Sequence, residues 1–379
     1  SGKTRVLVHR VAWLIAMDSI APQNIIAVTF TNKAATEMQT RIQKIISAPA
    51  RGMWVGTFHG LAHRFLRLHW KEAGLQQGFQ ILDSDDQYRQ IRRLLKSTGL
   101  DENQYPPKEI QWFINAQKDL GLRPGMVKKV PARKEYIDIY QAYEQGCERA
   151  GLVDFGELLL RLYETLKKND VLLSNYQSKF KHILVDEFQD TNEIQYQMVK
   201  LFSGPESSTF IVGDDDQSIY RWRGAKSENM QRFQKDFEGC RIIKLEQNYR
   251  STKTILAAAN SVIAKNQERL SKELWTEGEK GELIAVTGAY DEYEEAQNIV
   301  NKITAWKIQG GSYSDAAVLY RSNAQSRVIE EALLQLNIPY RVYGGMRFFD
   351  RAEIKDVLSY LRLVTNPNDD VAFERASSM

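Results

Sequence analysis

Short apolar runs that end in polar or acidic residues, with helical stretches between them, recur along this chain of 379 residues. Such a run is too short for a helix, and a strand buried on both faces reads this way. Neighbouring parallel strands need a crossover, usually a helix, so the alternation predicts an α/β fold of parallel sheets. The predicted strands are Asn24–Thr29, Met53–Thr57, Phe79–Leu82, His182–Asp186, Thr209–Gly213, Arg241–Glu246, Ile284–Thr287, Ala316–Tyr320 and Tyr340–Tyr343.

Between about Asp85 and Phe180 the rhythm breaks. That stretch is rich in helix formers, contains Pro106-Pro107 and Pro131, and shows no convincing strand. It reads as an all-helical insertion between strands of the first sheet. A second α/β unit starts near Asn248, and after Gly344-Gly345 the pattern turns helical again. The predicted organisation is a first parallel-sheet unit over 1–85 and 181–247 and a helical insertion over 86–180. A second such unit begins over 248–345, and a second helical insertion begins over 346–379. The length suits several domains of ~100–200 residues each.

The chemistry is written at the predicted strand ends. Ser1-Gly2-Lys3-Thr4, followed by an apolar helical stretch from Val6 to Ile15, matches the second half of G-x-x-x-x-G-K-[ST]. In that loop backbone N–H groups cradle phosphates, the Lys reaches the β- and γ-phosphates, and the hydroxyl holds Mg²⁺. A chance match on a helix cap is the bland alternative. Residues 181–192 weigh against it: the apolar run Ile183–Val185 ends in Asp186-Glu187. Open α/β sheets bind ligands at the carboxyl ends of strands. Phosphate-loop enzymes hold Mg²⁺ between the loop hydroxyl and a strand-end Asp. Thr4 and Asp186 are therefore assigned to the metal, and Glu187 to polarising the water that attacks a nucleoside triphosphate. A solvated strand end is the competing reading of Asp186-Glu187.

Further clusters follow other strands. Gln217, in Gly213–Tyr220, lies just past Phe210–Val212, where a carboxamide can touch a γ-phosphate or the attacking water. Tyr220-Arg221-Trp222-Arg223-Gly224 interleaves aromatics with arginines, which suits single-stranded nucleic acid. Bases stack on the rings, at ~1–3 kcal/mol each, while Arg takes phosphate. A core position for Trp222 is the alternative. Thr29–Ala35 and Gly56–Gly60 place hydroxyls and amides at helix starts, where phosphates bind. Read alone, each is an ordinary helix cap. Arg250, in Gln247–Ser251, suits a γ-phosphate arginine crossing a cleft, and Tyr249 can stack on a nucleobase. His59 and His63 are four apart but lack the Glu of an H-E-x-x-H site, so no zinc is assigned.

Composition adds bounds. A formal net charge of +3 advertises no global polycation. Cys147 and Cys240 match no metal spacing and no disulfide framework, which predicts a reducing, cytoplasmic compartment. No apolar run approaches the ~18 residues of a membrane span.

Ser1–Thr4, Thr29–Ala35, Gly56–Gly60, Val185–Asn192, Val212–Ala225 and Leu245–Thr252, in this order and spacing, resemble the motifs of superfamily 1A DNA helicases. Tyr320–Gln325 and Gly344–Phe349 narrow the resemblance to the UvrD/PcrA/Rep type and its UvrD branch. The resemblance runs over essentially the whole chain. It implies two RecA-like motor domains with ATP between them, each carrying an inserted helical subdomain. It implies ATP-driven 3′→5′ movement on single-stranded DNA, opening of single/double-strand junctions, and partners in excision and mismatch repair.

By motif, the resemblance makes Ser1, Gly2, Lys3 and Thr4 phosphate and Mg²⁺ ligands, with Arg5 a further phosphate candidate. Asp186 becomes the Mg²⁺ partner, Glu187 the base, Gln217 the γ-phosphate sensor, Tyr249 the adenine-stacking residue and Arg250 the γ-phosphate arginine. Phe58, Tyr220 and Trp222 become aromatic DNA contacts, with Arg223 beside them. Thr31, Asn32 and His59 become contacts to the DNA backbone.

The earlier half of the phosphate loop and the later motifs of the second motor domain are not in the sequence, and Arg221 stands where relatives often have Gly. The expectation is an active parent protein and an inactive piece of it. A different phosphate-loop enzyme, such as a kinase, and a non-catalytic DNA- or partner-binding module are the other classes. A Rep-like or PcrA-like replication role is the alternative within the family.

Overall fold

The computed structural model describes residues 2–46, 52–128, 134–226, 228–266, 272–343, 352–365, 367 and 370–377. Two compact units emerge, Ser1–Gly281 and Glu282–Met379. The first contains α1 (Lys3–Ala16), β1 (Ile25–Thr29), α2 (Asn32–Ile45), β2 (Trp54–Thr57), α3 (Phe58–Leu68) and β3 (Gln80–Leu82). It continues with α4 (Ser84–Ser97), α5 (Pro107–Asp119), α6 (Lys134–Ala150), β4 (Leu152–Asp154), α7 (Phe155–Lys168) and α8 (Asp170–Lys179). Then come β5 (His182–Val185), α9 (Glu193–Phe202), β6 (Ser208–Ile211), α10 (Glu228–Asp236) and α11 (Lys253–Ile263).

Four strands form one sheet in the order β2-β1-β5-β6, every pair parallel. The residues of β1, Ile-Ile-Ala-Val-Thr, are all buried, as a central strand covered on both faces requires. Side chains alternate between the faces. Ile25, Ala27 and Leu184 pack under α1 and α2 with Leu7, Val11, Met38 and Ile42. Ile26, Val28, Ile183 and Val185 pack on the other side against Phe65, Leu162, Tyr196 and Val199, from α3, α7 and α9. Caps start the helices where the strands end: the Thr31, Thr57 and Asn192 side chains accept from the backbone N–H groups of Ala34, Gly60 and Gln195. All four strands therefore point their carboxyl ends at one edge.

The insertion is helical apart from β4, which pairs in parallel with β3. That strand was not expected; three residues are too few to leave a periodic signal. The expected strand at Arg241–Glu246 is also corrected. Its residues join no ladder, Ile243 is 69% exposed, and a single bridge joins Gln247 to Trp275.

The second unit contains α12 (Glu292–Ile308), α13 (Ser326–Gln335), α14 (Ala352–Thr365) and α15 (Asp370–Ser377). A small core of Ala296, Val300, Ala332, Leu333 and Ile338 holds α12 on α13. The expected strands at Ile284–Thr287, Ala316–Tyr320 and Tyr340–Tyr343 are likewise unpaired, with Val286 and Leu319 94% and 95% exposed. A strand exists only against a neighbour, and no described segment offers these runs a ladder. Among the described residues, no helix is long and apolar enough to cross a membrane.

Candidate functional site

The carboxyl edge of the sheet gathers Lys3, Thr4, Asp186, Glu187 and Gln217 among the residues that the sequence marked. Gly2, with φ 73°, turns the chain into α1, and Lys3 and Thr4 are that helix's first residues. Opposite them β5 ends in Asp186-Glu187. Thr4 Oγ1 donates to Asp186 Oδ2 at 3.1 Å across 182 positions of sequence. Glu187 sits in the left-handed region at φ 51°, strain that an ordinary residue carries mostly where geometry serves function. Its N–H donates to Asp186 Oδ1, and its Oε2 accepts from Gln189 at 2.9 Å. Gln189 Oε1 in turn accepts from the backbone N–H of Asp214, at the end of β6.

Asp214 is the hub of the edge. Its carboxylate lies 3.3 Å from Lys3 Nζ, accepts from Gln217 Nε2 at 2.7 Å and pairs with Lys272. Burial alone would push Asp214 up, but Lys272 and Lys3 outweigh it and hold it below the usual carboxylate range. Asp186 is moved the other way, upward, by burial and then by the Glu187 charge. The same two causes push Asp190 up to about 6.

Among the described residues, the buried polar atoms near this edge that lack a hydrogen bond are Lys3 Nζ, Thr29 Oγ1 and Asp190 Oδ1. An ammonium in this state is costly unless a ligand completes it. Phosphate oxygens are acceptors of the required kind, and the Thr4 and Asp186 oxygens are a donor set for a hard cation such as Mg²⁺.

The candidate nucleic-acid residues lie beside this group. Tyr220 stacks on Phe30, ring centroids 4.7 Å apart, and Trp222 lies 6.4 Å from Tyr220. Trp222 is 74% exposed, which removes the core reading. Thr31 and Asn32 are exposed at the start of α2, and Thr57 Oγ1 reaches Asn32 at 3.4 Å. His59 is half-buried with its ring edge-on to Phe155 at 5.9 Å, and burial lowers it to about 4, so it is neutral at pH 7.

Phe58 is a correction: at 8% exposure it packs in the core with Leu61 and Phe65, because it opens α3 on the helix's apolar face. Arg5 is exposed beside the loop. Tyr249 is exposed with its hydroxyl on Gln247, and Arg250 is exposed with its backbone N–H on Asn248 Oδ1. The structure does not bring either side chain into the Lys3–Asp186 group. Ser1, Gly344–Phe349 and the Arg223 side chain lie outside the described residues.

Sequence reasoning missed Asp214, Gln189, Lys272 and Phe155. Asp214 and Gln189 stood inside marked segments, so the strand-end rule already pointed at them. Phe155 and Lys272 carried no local signal.

Comparison with known proteins gives the family. The UvrD/REP helicase N-terminal domain matches residues 1–238, and the UvrD-like helicase C-terminal domain matches 243–379. DNA helicase II of Escherichia coli is 57% identical over 377 residues, and DNA helicase II of Salmonella typhimurium 58% over 377; each alignment covers 99% of this chain and 52% of the relative. The ATP-dependent DNA helicase PcrA of Staphylococcus aureus is 43% identical over 383 residues, with the same coverage. The chain thus spans about half the length of the curated relatives it matches, and it belongs to the UvrD/REP helicase family.

Proposed function

We propose that this chain supplies the nucleotide-hydrolysing centre and part of the DNA track of an ATP-dependent DNA helicase. The protein moves 3′→5′ on single-stranded DNA, opens single/double-strand junctions and serves nucleotide excision and mismatch repair in the cytoplasm. One observation carries the reading. A buried ammonium without a hydrogen bond, Lys3 Nζ, stands among strand-end carboxylates, while Trp222, five positions after Gln217, presents an exposed ring. The higher identity to the DNA helicase II relatives favours the repair branch over a replication role.

In this reading residues 1–85 and 181–247 are the first motor domain, 86–180 its insertion, 248–345 the start of the second motor domain and 346–379 the start of the second insertion. Lys3 donates to the β- and γ-phosphates, with Gly2, Arg5 and Ser1 around them, and Tyr249 stacks on the adenine. Thr4 and Asp186 would hold Mg²⁺, which would supply positive charge against the phosphates. Glu187 takes the proton of the attacking water, which Gln217 orients, and Arg250 meets charge developing on the γ-phosphate. Thr31, Asn32 and neutral His59 hold the DNA backbone. Tyr220 and Trp222 take bases, with Arg223 on phosphate.

The test is ATP hydrolysis by a protein of the relatives' full length carrying this chain, with and without single-stranded DNA. Strong stimulation by DNA is the expected result. Hydrolysis indifferent to DNA would point to another phosphate-loop enzyme, and no hydrolysis to a binding module.

A further inference from the structure

Lys272 lies 58 positions from Asp214 in sequence and belongs to no marked motif, yet it is among the most engaged cations of the first unit. Its ammonium pairs with Asp214, with Asp215 at 2.6 Å and with Asp216 at 3.3 Å, and its side chain is only 15% exposed. Burial alone would lower its pKa; bonds to Asp214 and Asp215 more than compensate and raise it. Those carboxylates form the turn that ends in Gln217, and Gln217 itself is bonded to Asp214.

The other side of Lys272 leads to the arginine segment. Asn260 Nδ2, on α11, donates to the Leu274 carbonyl at 2.9 Å. Trp275 exchanges backbone hydrogen bonds with Glu246 and Asn248, at 3.1 and 2.7 Å. The Asn248 side chain then accepts from the backbone N–H groups of Arg250 and Ser251, both at 2.8 Å. Gln217 is thus bonded to Asp214 and Asp214 to Lys272, the chain itself leads from Lys272 to Trp275, and hydrogen bonds continue from Trp275 to Asn248 and the Arg250 backbone. Sequence separates Gln217 from Arg250; this route joins them.

We propose that Lys272 is a positioning residue that fixes the Tyr249–Arg250 segment relative to the Gln217 turn, so that Gln217 and Arg250 keep one register for a single γ-phosphate. The proposal rests on the nucleotide reading above. Lys272 touches no substrate; it acts through Asp214–Asp216 on one side and Asn248 on the other. A misplacement of about 1 Å far from the reacting atoms can cost ~10²-fold in rate. The loss therefore falls on kcat rather than on the KM for ATP.

The experiment is a double-mutant cycle in the full-length protein, reading DNA-stimulated ATPase and melting temperature for Lys272→Met, Arg250→Ala and the pair. Lys272→Met is expected to lower kcat by ~10- to 100-fold with little change in KM, and to add almost nothing once Arg250 is Ala. Lys272→Arg, which keeps a cation facing the carboxylates, is expected to restore most of the rate. Should Lys272→Met fail to fold, Asp215→Asn with Asp216→Asn loosens the same clamp without stranding a charge, and the same cycle applies. Independent, multiplying losses with Arg250→Ala would overturn the proposal, as would a variant that melts lower but turns over normally when folded. Failure of the nucleotide reading looks different: the unaltered protein itself would show no DNA-stimulated hydrolysis.

Discussion

Lys118 and Lys3 are both drawn into the first unit, with side chains 2% and 13% exposed, but their surroundings differ in kind. Lys118, on α5, meets Asp154 Oδ2 at 2.7 Å and Glu157 at 3.1 Å, and Tyr143 also donates to Asp154. Arg123 bonds Glu144, Glu157 and Glu164, and Arg161 bonds Glu157. Burial alone would raise Glu157; Lys118, Arg123 and Arg161 overcome it and hold the carboxyl far below its usual range. Lys3 instead has carboxylates at 3.3 and 3.9 Å and no hydrogen bond. A cluster that ties helices together satisfies every charge, because each unsatisfied one costs stability. The Lys3 cluster, which we propose receives the nucleotide, leaves its cation short of partners, and the ligand would supply the completing acceptors.

The same contrast can be broken by substitution, and the largest effect is on rate. In the full-length protein Glu187→Gln keeps the turn and its bond from Gln189 but removes the base. Turnover is expected to fall by ~10²–10⁴ while nucleotide binding and melting temperature hold. Near-normal hydrolysis would remove Glu187 from the base's role. Lys118→Met acts on the closed cluster and leaves the buried Asp154 without its cation, an expected loss of ~3–5 kcal/mol in folding stability. Lys3→Met should leave stability nearly unchanged and abolish tight nucleotide binding. If denaturant melts show equal losses for the two lysines, the distinction between closed and open clusters is wrong.

How far the sequence carried this picture follows from the range of each signal. The four paired strands of the first sheet and their end motifs were readable, since each apolar run and the polar cluster at its end are contiguous. Thr4 and Asp186 were read as partners across 182 positions only because the strand-end rule brings phosphate loop and acidic strand end together. Lys272 was invisible for the converse reason: it is a lone Lys whose partners lie in another segment. Phe58 misled because an aromatic at a helix start suits a surface contact and a core wedge equally, and only packing decides. The apolar runs at 284–287 and 316–320 carried a strand signal, but a strand signal does not supply its neighbour.

The open side of the comparison extends to the proposed DNA track. Trp222→Ala is expected to weaken single-stranded DNA binding by ~1–3 kcal/mol, the value of one stacked base, and to leave the salt dependence almost unchanged. At 74% exposure the ring does little for the core, so the melting temperature should hold. Binding titrations at several salt concentrations decide it; a changed salt slope with unchanged affinity would argue against stacking.

The smallest effect sits between the two clusters. Asp119 follows Lys118 on α5, and its Oδ1 accepts from Asn192 Nδ2 at 2.8 Å, in the segment just after Glu187. Burial first and the Asp154 charge second push it up to about 7, against the lowering effect of the Asn192 bond. A carboxyl whose folded value is raised binds its proton more tightly folded than unfolded. Its contribution therefore favours folding at low pH and is lost as pH climbs from about 4 to about 7. Asp119→Asn keeps the acceptor for Asn192 and removes the titration. The variant should match the unaltered protein near pH 4 and exceed it at pH 8. The side chain is partly exposed, so solvent screening holds the gain to on the order of 1 kcal/mol. Paired melts across that range test the sign directly. A difference that does not grow with pH would return Asp119 to an ordinary carboxylate and leave its bond to Asn192 as a plain structural tie between insertion and site.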